Sequence, residues 1–178
     1  MNEKLTNLIN KLPDPDDRGF MSNIDKQVAD EVTAGILAGG AENIEAVVGA
    51  LKVPAEGGDH KARYALHCVA IAVGKDQDEQ RQMVAATLAK CVGGDMPKGV
   101  KAYLVQELQM VGTPAEAETL GGLLCDEDLC EPAAQALMAI RRGAADQFEK
   151  ALPNAGPKCK PTIEQNLAIL QQRRRRRQ

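Results

Sequence analysis

Residues 62–70 read Ala-Arg-Tyr-Ala-Leu-His-Cys-Val-Ala, and a related nine-residue pattern returns three more times. It reads Val-Lys-Ala-Tyr-Leu-Val-Gln-Glu-Leu from Val100, Leu-Cys-Glu-Pro-Ala-Ala-Gln-Ala-Leu from Leu129 and Cys-Lys-Pro-Thr-Ile-Glu-Gln-Asn-Leu from Cys159. The starts lie 38, 29 and 30 residues apart. Recurrence at that period marks stacked helical hairpins, because one hairpin alone cannot bury its apolar face.

The segments around these copies are helical in period too. Leu5, Leu8, Ile9 and Leu12 form a short opening helix that Pro13-Asp14-Pro15 breaks. Ser22 with Asp25 resembles a capping box ahead of the stripe Ile24, Val28, Val32 and Ile36, which stops at Gly39-Gly40. Ile44 to Leu51 make the next helix, and a longer one spans His60 to Val73. Asp76 is placed to cap a helix carrying Met83, Val84, Leu88 and Val92, followed by one from Val100 to Val111. Thr113-Pro114-Ala115-Glu116 is the strongest start signal: a cap, a proline in first position and a returning carboxylate. Short helices are expected near 115–125, 129–141, 144–151 and 161–172. No strand alternation survives, so the expectation is an all-α chain. Joined by short loops, its antiparallel hairpins would stack into a right-handed α-solenoid.

Composition agrees. Hydrophobic residues make up 44% of the 178, but aromatics only 2%, so the core must be aliphatic and rich in Ala. That favours close-packed helices over a sandwich or barrel. The longest apolar run, Cys68 to Val73, is far short of the ~20 residues of a membrane helix. The start lacks the apolar centre of a secretory signal. Five scattered cysteines suit a reducing compartment, and the expected location is cytoplasmic. The net charge of −3 hides a division: residues 1–140 carry 12 Lys or Arg against 22 Asp or Glu, and residues 141–178 carry 10 against 3.

Each copy resembles the second helix of a HEAT-like repeat, especially the short type named after phycobilisome lyases. That family writes an aspartate, then Val-Arg, two variable residues, Ala-Ala, one variable residue and Ala-Leu. Asp126 to Leu137 matches it closely, with Leu129 for Val and Cys130 for Arg. The basic position is filled by Arg63, Lys101 and Lys160, and the aspartate falls on Asp59 and Asp126; Pro97 and Gly156 stand there in the other copies. The resemblance covers roughly residues 24–170. It implies a HEAT/armadillo-like fold, with residues 1–23 as a cap or arm, 24–172 as the repeat domain and 173–178 as a basic tail. Such solenoids scaffold, bind peptides, assist lyases and occasionally handle nucleic acid, so the fold does not name the task.

Individual residues point to packing more than to chemistry. His67 adjoins Cys68, but adjacent helical residues do not face each other, so a His–Cys nucleophile pair is not expected; His60 and His67 read as core or boundary residues. Cys125 and Cys130 lack the second half of a zinc site. Six acidic residues and no basic ones lie in 114–131, where helix starts already favour carboxylates. The paired glycines match no phosphate-binding loop. No metal, cofactor or catalytic residue is therefore expected. The leading expectation is a non-enzymatic scaffold for protein partners, with contacts at Arg63, Lys101, Gln135 and Lys160. A second reading is weak polyanion contact through Arg173, Arg174, Arg175, Arg176 and Arg177, a like-charge block expected to be disordered alone. A third, by family analogy, is a lyase-like or other enzyme accessory.

Overall fold

The computed structural model describes residues 1–22, 24–74 and 79–176, and among them every regular element is helical. The α-helices are Glu3–Ile9 (α1), Lys26–Ala38 (α2), Gly40–Val48 (α3), His60–Val73 (α4), Glu79–Gly93 (α5), Lys98–Val111 (α6), Ala117–Gly121 (α7), Cys130–Ile140 (α8), Ala144–Ala151 (α9) and Lys160–Arg175 (α10). A 3-10 turn over Pro114–Glu116 leads into α7, and another over Leu152–Asn154 follows α9.

The four copies occupy α4, α6, α8 and α10. These helices follow one another in space: α2 packs on α4, α4 on α6, α6 on α8 and α8 on α10. The intervening helices pack likewise, α3 on α5, α5 on α7 and α7 on α9. Each odd helix from α3 onward also packs on the even helix after it.

Aligned on their first residues, the copies bury the same columns. Ala62, Val100, Leu129 and Cys159 are buried, as are Leu66, Leu104, Ala133 and Ile163 four residues on. Ala70, Leu108, Leu137 and Leu167 follow after another four. Spacing by four keeps these side chains on one helical face. That face meets Val47 and Val48 of α3, Val84 and Leu88 of α5, Leu120 of α7 and Phe148 of α9 in one continuous apolar cluster. Close approach shows at Gly112, where a Cβ would lie 2.9 Å from Ile140 Cδ1 and 2.5 Å from the Leu108 carbonyl oxygen.

Local signals set the helix ends. The Thr113–Glu116 capping box forms: Thr113 Oγ1 accepts from Ala115 N–H, and Glu116 Oε2 accepts from Thr113 N–H at 2.7 Å. The C-terminus of α6 is closed by Arg81, whose guanidinium donates to the carbonyls of Val111 and Gly112 at 2.9 and 3.1 Å. α1 buries Leu5 and Ile9 and packs on α2 and α4.

Some expectations change. The cap of α2 is Asp25 itself, accepting from Gln27 N–H; Ser22 donates instead to Asp16. Asp16 also accepts from the Arg18 side chain and from Phe20 N–H, and the Arg18 guanidinium is the chief reason its carboxyl is held down to about 2. The cap expected at Asp76 lies outside the described residues. Where a disordered tail was expected from Arg173, α10 runs on through Arg175, since a helix C-terminus favours cations. Arg177 lies outside the described residues.

Phe148 is the one fully buried aromatic in an otherwise aliphatic core. Phe148→Ala should cost about 3–5 kcal/mol, read as a lower midpoint in urea denaturation with an unchanged slope.

Candidate functional site

The face built by α4, α6, α8 and α10 carries the polar residues singled out in the sequence. Arg63, in the first turn of α4, is fully engaged. Its Nε donates to Asp59 at 2.8 Å and its Nη2 to the Lys52 carbonyl at 2.6 Å. Its guanidinium lies over the Tyr103 ring of α6, 4.6 Å from the centroid. Tyr103 Oη donates back to the Arg63 carbonyl at 2.6 Å. Asp59 is buried and also accepts from Lys52 N–H at 2.9 Å, so its charge is balanced and hydrogen-bonded. This unit joins the loop before α4 to the middle of α6.

One turn further along both helices stands a second pair. His67 Nδ1 lies 3.2 Å from each oxygen of Glu107. Glu107 is only 3% exposed and occupies the column filled by Val69, Ala136 and Asn166 in the other copies. Burial pushes its carboxyl up; His67 and Tyr103 oppose that shift without cancelling it. Burial, followed by the nearby Glu107 charge, drives the Tyr103 phenol upward as well. His67 turns toward α6 while Cys68, its neighbour in sequence, lines a groove between α2 and α4. The pair expected not to face each other does not.

The polar strip continues across the next helices. Gln109 of α6 donates to Gln135 of α8 at 3.3 Å, Gln135 to Glu131 at 3.1 Å, and Thr162 of α10 to Glu131 at 3.1 Å. Lys160 lies 3.9 Å from Glu164, and Lys101 makes no ion pair among the described residues. Arg63, Lys101, Gln135 and Lys160 thus sit on consecutive helices of one row rather than converging on a point. At the α2 end the strip gives way to an apolar groove lined by Ala34, Leu37, Cys68 and Ile71, with Ile71 47% exposed.

The remaining candidates separate. Cys125 is exposed, with its thiol 3.6 Å from the Ala151 carbonyl. Cys130 is buried beside Cys159 of the next copy; burial first, and that second thiol, raise its thiol to about 11. The acidic run is largely engaged within the chain. Glu116 caps, Lys98 holds Asp126 and Asp128 at 2.9 and 3.0 Å, Lys158 lies 3.8 Å from Glu127, and Glu131 joins the polar strip. Among the described residues no three His, Cys, Asp or Glu side chains are grouped to hold a metal ion, and no helix is long and apolar enough to cross a membrane. Comparison with known proteins finds no matching family model and no significantly similar curated protein.

Two features were missed in the sequence. Glu107 breaks an otherwise mostly apolar column, a signal visible once the copies are aligned. Arg141 and Arg142, in the turn after α8, lie beside the end of α10 and share a groove with Arg173, Arg174 and Arg176.

Glu107 sets a pH dependence. Its folded-state value lies above the ordinary 4.5, so the folded state holds this proton more tightly than the unfolded chain. Stability then falls as pH rises from the unfolded value through the folded one. Urea denaturation from pH 4 to 8 should show Glu107→Gln gaining on the wild type as pH rises. A constant difference between the two proteins would contradict this.

Proposed function

We propose that this protein is a non-enzymatic interaction scaffold, an α-solenoid of HEAT-like repeats. In this reading the exposed face of α2, α4, α6, α8 and α10 receives an extended segment of a protein partner. The observation that carries the reading is the row itself: the four copies lie on helices that pack consecutively, each adding polar side chains to the same strip. Serial repetition builds an elongated surface suited to a chain rather than to a compact small molecule. The apolar groove around Leu37 and Ile71 offers an anchor, while Lys101, Gln135 and Lys160 provide polar contacts further along. Arg63 shapes the strip through its hold on Asp59 and Tyr103. His67, Glu107 and Tyr103 are engaged with one another and with Arg63, a packing role that supports the non-enzymatic reading.

Photo-crosslinkers placed at Ile71, Gln106 and Gln135 in native cells test this against controls at Gln82 of α5 and Glu149 of α9. The expected result is one common partner from the first three positions and none from the controls. Ile71→Glu should reduce capture at least several-fold without changing the melting temperature by more than a few degrees. Equal crosslinking from both rows, or none from either, would overturn the assignment.

A further inference from the structure

The groove at the end of α10 is assembled from two separate parts of the chain. The turn between α8 and α9 supplies Arg141 and Arg142; the last turns of α10 supply Arg173, Arg174 and Arg176. Its volume is about 800 Å³. That far exceeds the roughly 30 Å³ share of one water, so the groove has room for a segment of a polymer. Elsewhere most basic side chains have acidic partners, including Lys11, Lys26, Lys61, Lys90 and Lys98. Here only Arg174 has one, Asp146 at 3.8 Å; Arg141, Arg142, Arg173 and Arg176 make no ion pair among the described residues. Like charges gathered this closely repel one another, and an anion between them relieves that repulsion.

The backbone gives a second, independent observation. Arg141 is the one described residue other than glycine with positive φ, at φ 68° and ψ −55°. Arg142 N–H donates to the Ile140 carbonyl at 2.8 Å, closing the rare, strained form of γ-turn around Arg141. In the aligned copies this position is Gly74 after α4 and Gly112 after α6, both at negative φ, −66° and −56°, so the left-handed turn belongs to the α8 copy alone. Holding a residue other than glycine in this conformation costs on the order of 1–3 kcal/mol. Packing supplies no evident return for that strain, since Arg141 and Arg142 are both exposed.

We propose that this composite groove binds the phosphodiester backbone of single-stranded nucleic acid, independently of the protein-binding face described above. Guanidinium groups pair with phosphate oxygens in a two-pronged fashion and stack on unpaired bases. Two other occupants fit less well. A membrane surface favours basic residues beside protruding apolar ones. On α10, Ile163, Leu167 and Leu170 are buried and Ile169 is half-buried, and the exposed large apolar residues, Met1, Phe20 and Ile71, lie on other elements. A second copy of this chain would offer its acidic run, which is largely taken up by Lys98, Lys158 and capping. With no aromatic ring lining the groove, binding should be salt-sensitive and indifferent to sequence.

The test measures fluorescence anisotropy of a labelled 12-nucleotide oligouridine across 20–200 mM salt, using the full chain. Five arginine–phosphate contacts give a log–log salt slope of about −3.5. Arg141→Gly and Arg142→Gln together should bring it to about −2 and weaken binding about tenfold at low salt. Arg141→Gly alone should melt at or above the wild-type temperature, because glycine relaxes the turn, yet still bind several-fold more weakly. Truncation after Gln172 should abolish binding. Unchanged affinity in the Arg141 and Arg142 variants would overturn the composite groove by leaving only a generic tail effect. Absence of binding at 20 mM salt would do the same, as would tighter binding to phosphatidylserine vesicles or to an oligoglutamate peptide than to the oligonucleotide.

Discussion

Leu66, Leu104, Ala133 and Ile163 stand at the same place in four successive helices, and all are fully buried. That column is the constraint from which the rest follows. A helix of about a dozen residues is marginal alone in water and gains stability mainly by packing its apolar face. Here each such face is covered partly by the preceding odd helix and partly by the even helices on either side. Because the buried columns hold mostly aliphatic side chains and Ala, the helices approach closely enough for a Cβ at Gly112 to crowd Ile140. Polar residues are left to the remaining faces, which is why Gln109, Gln135, Glu131 and Thr162 fall into one strip.

Set into that frame, the α4–α6 contact differs from the others. It adds two polar units, Asp59–Arg63–Tyr103 and His67–Glu107, to the apolar packing. Both are hydrogen-bonded, as buried polar groups must be to avoid a large desolvation cost. Directional contacts of this kind define how one helix sits on the next more narrowly than Ala and Leu can. The α8–α10 contact instead brings Cys130 against Cys159, and the end of α10 carries arginines of which only Arg174 has an acidic partner among the described residues.

Much of the helical layout was legible because its signals are local. His60–Val73 was read from apolar spacing and a following glycine, and the Thr113 capping box from four residues. Ser22 was misassigned because the competing acceptor, Asp16, sits in an irregular loop that no periodicity predicts. The arginine block was read as a disordered tail because charge repulsion was weighed without the dipole of a helix already running toward it. Cys125 and Cys130 were read as lacking the rest of a zinc site, but the neighbour of Cys130 was not legible: it is Cys159, 29 residues on, because the packing of one copy on the next sets the contact. Arg141 joins α10 for the same reason. Glu107 was within reach of the sequence: it is the one carboxylate in its repeat column.

The central claim is that the copies lie side by side in chain order, sharing one extended core. Spin labels incorporated at the equivalent positions Cys68, Gln106, Gln135 and Gln165 measure this directly by pulsed electron–electron dipolar spectroscopy. With neighbouring axes about 8–10 Å apart, separations should grow at each step, reaching roughly 25–30 Å from α4 to α10. A 68–165 distance no longer than the 68–106 distance would mean that the helices gather around a common centre, and the account would be wrong.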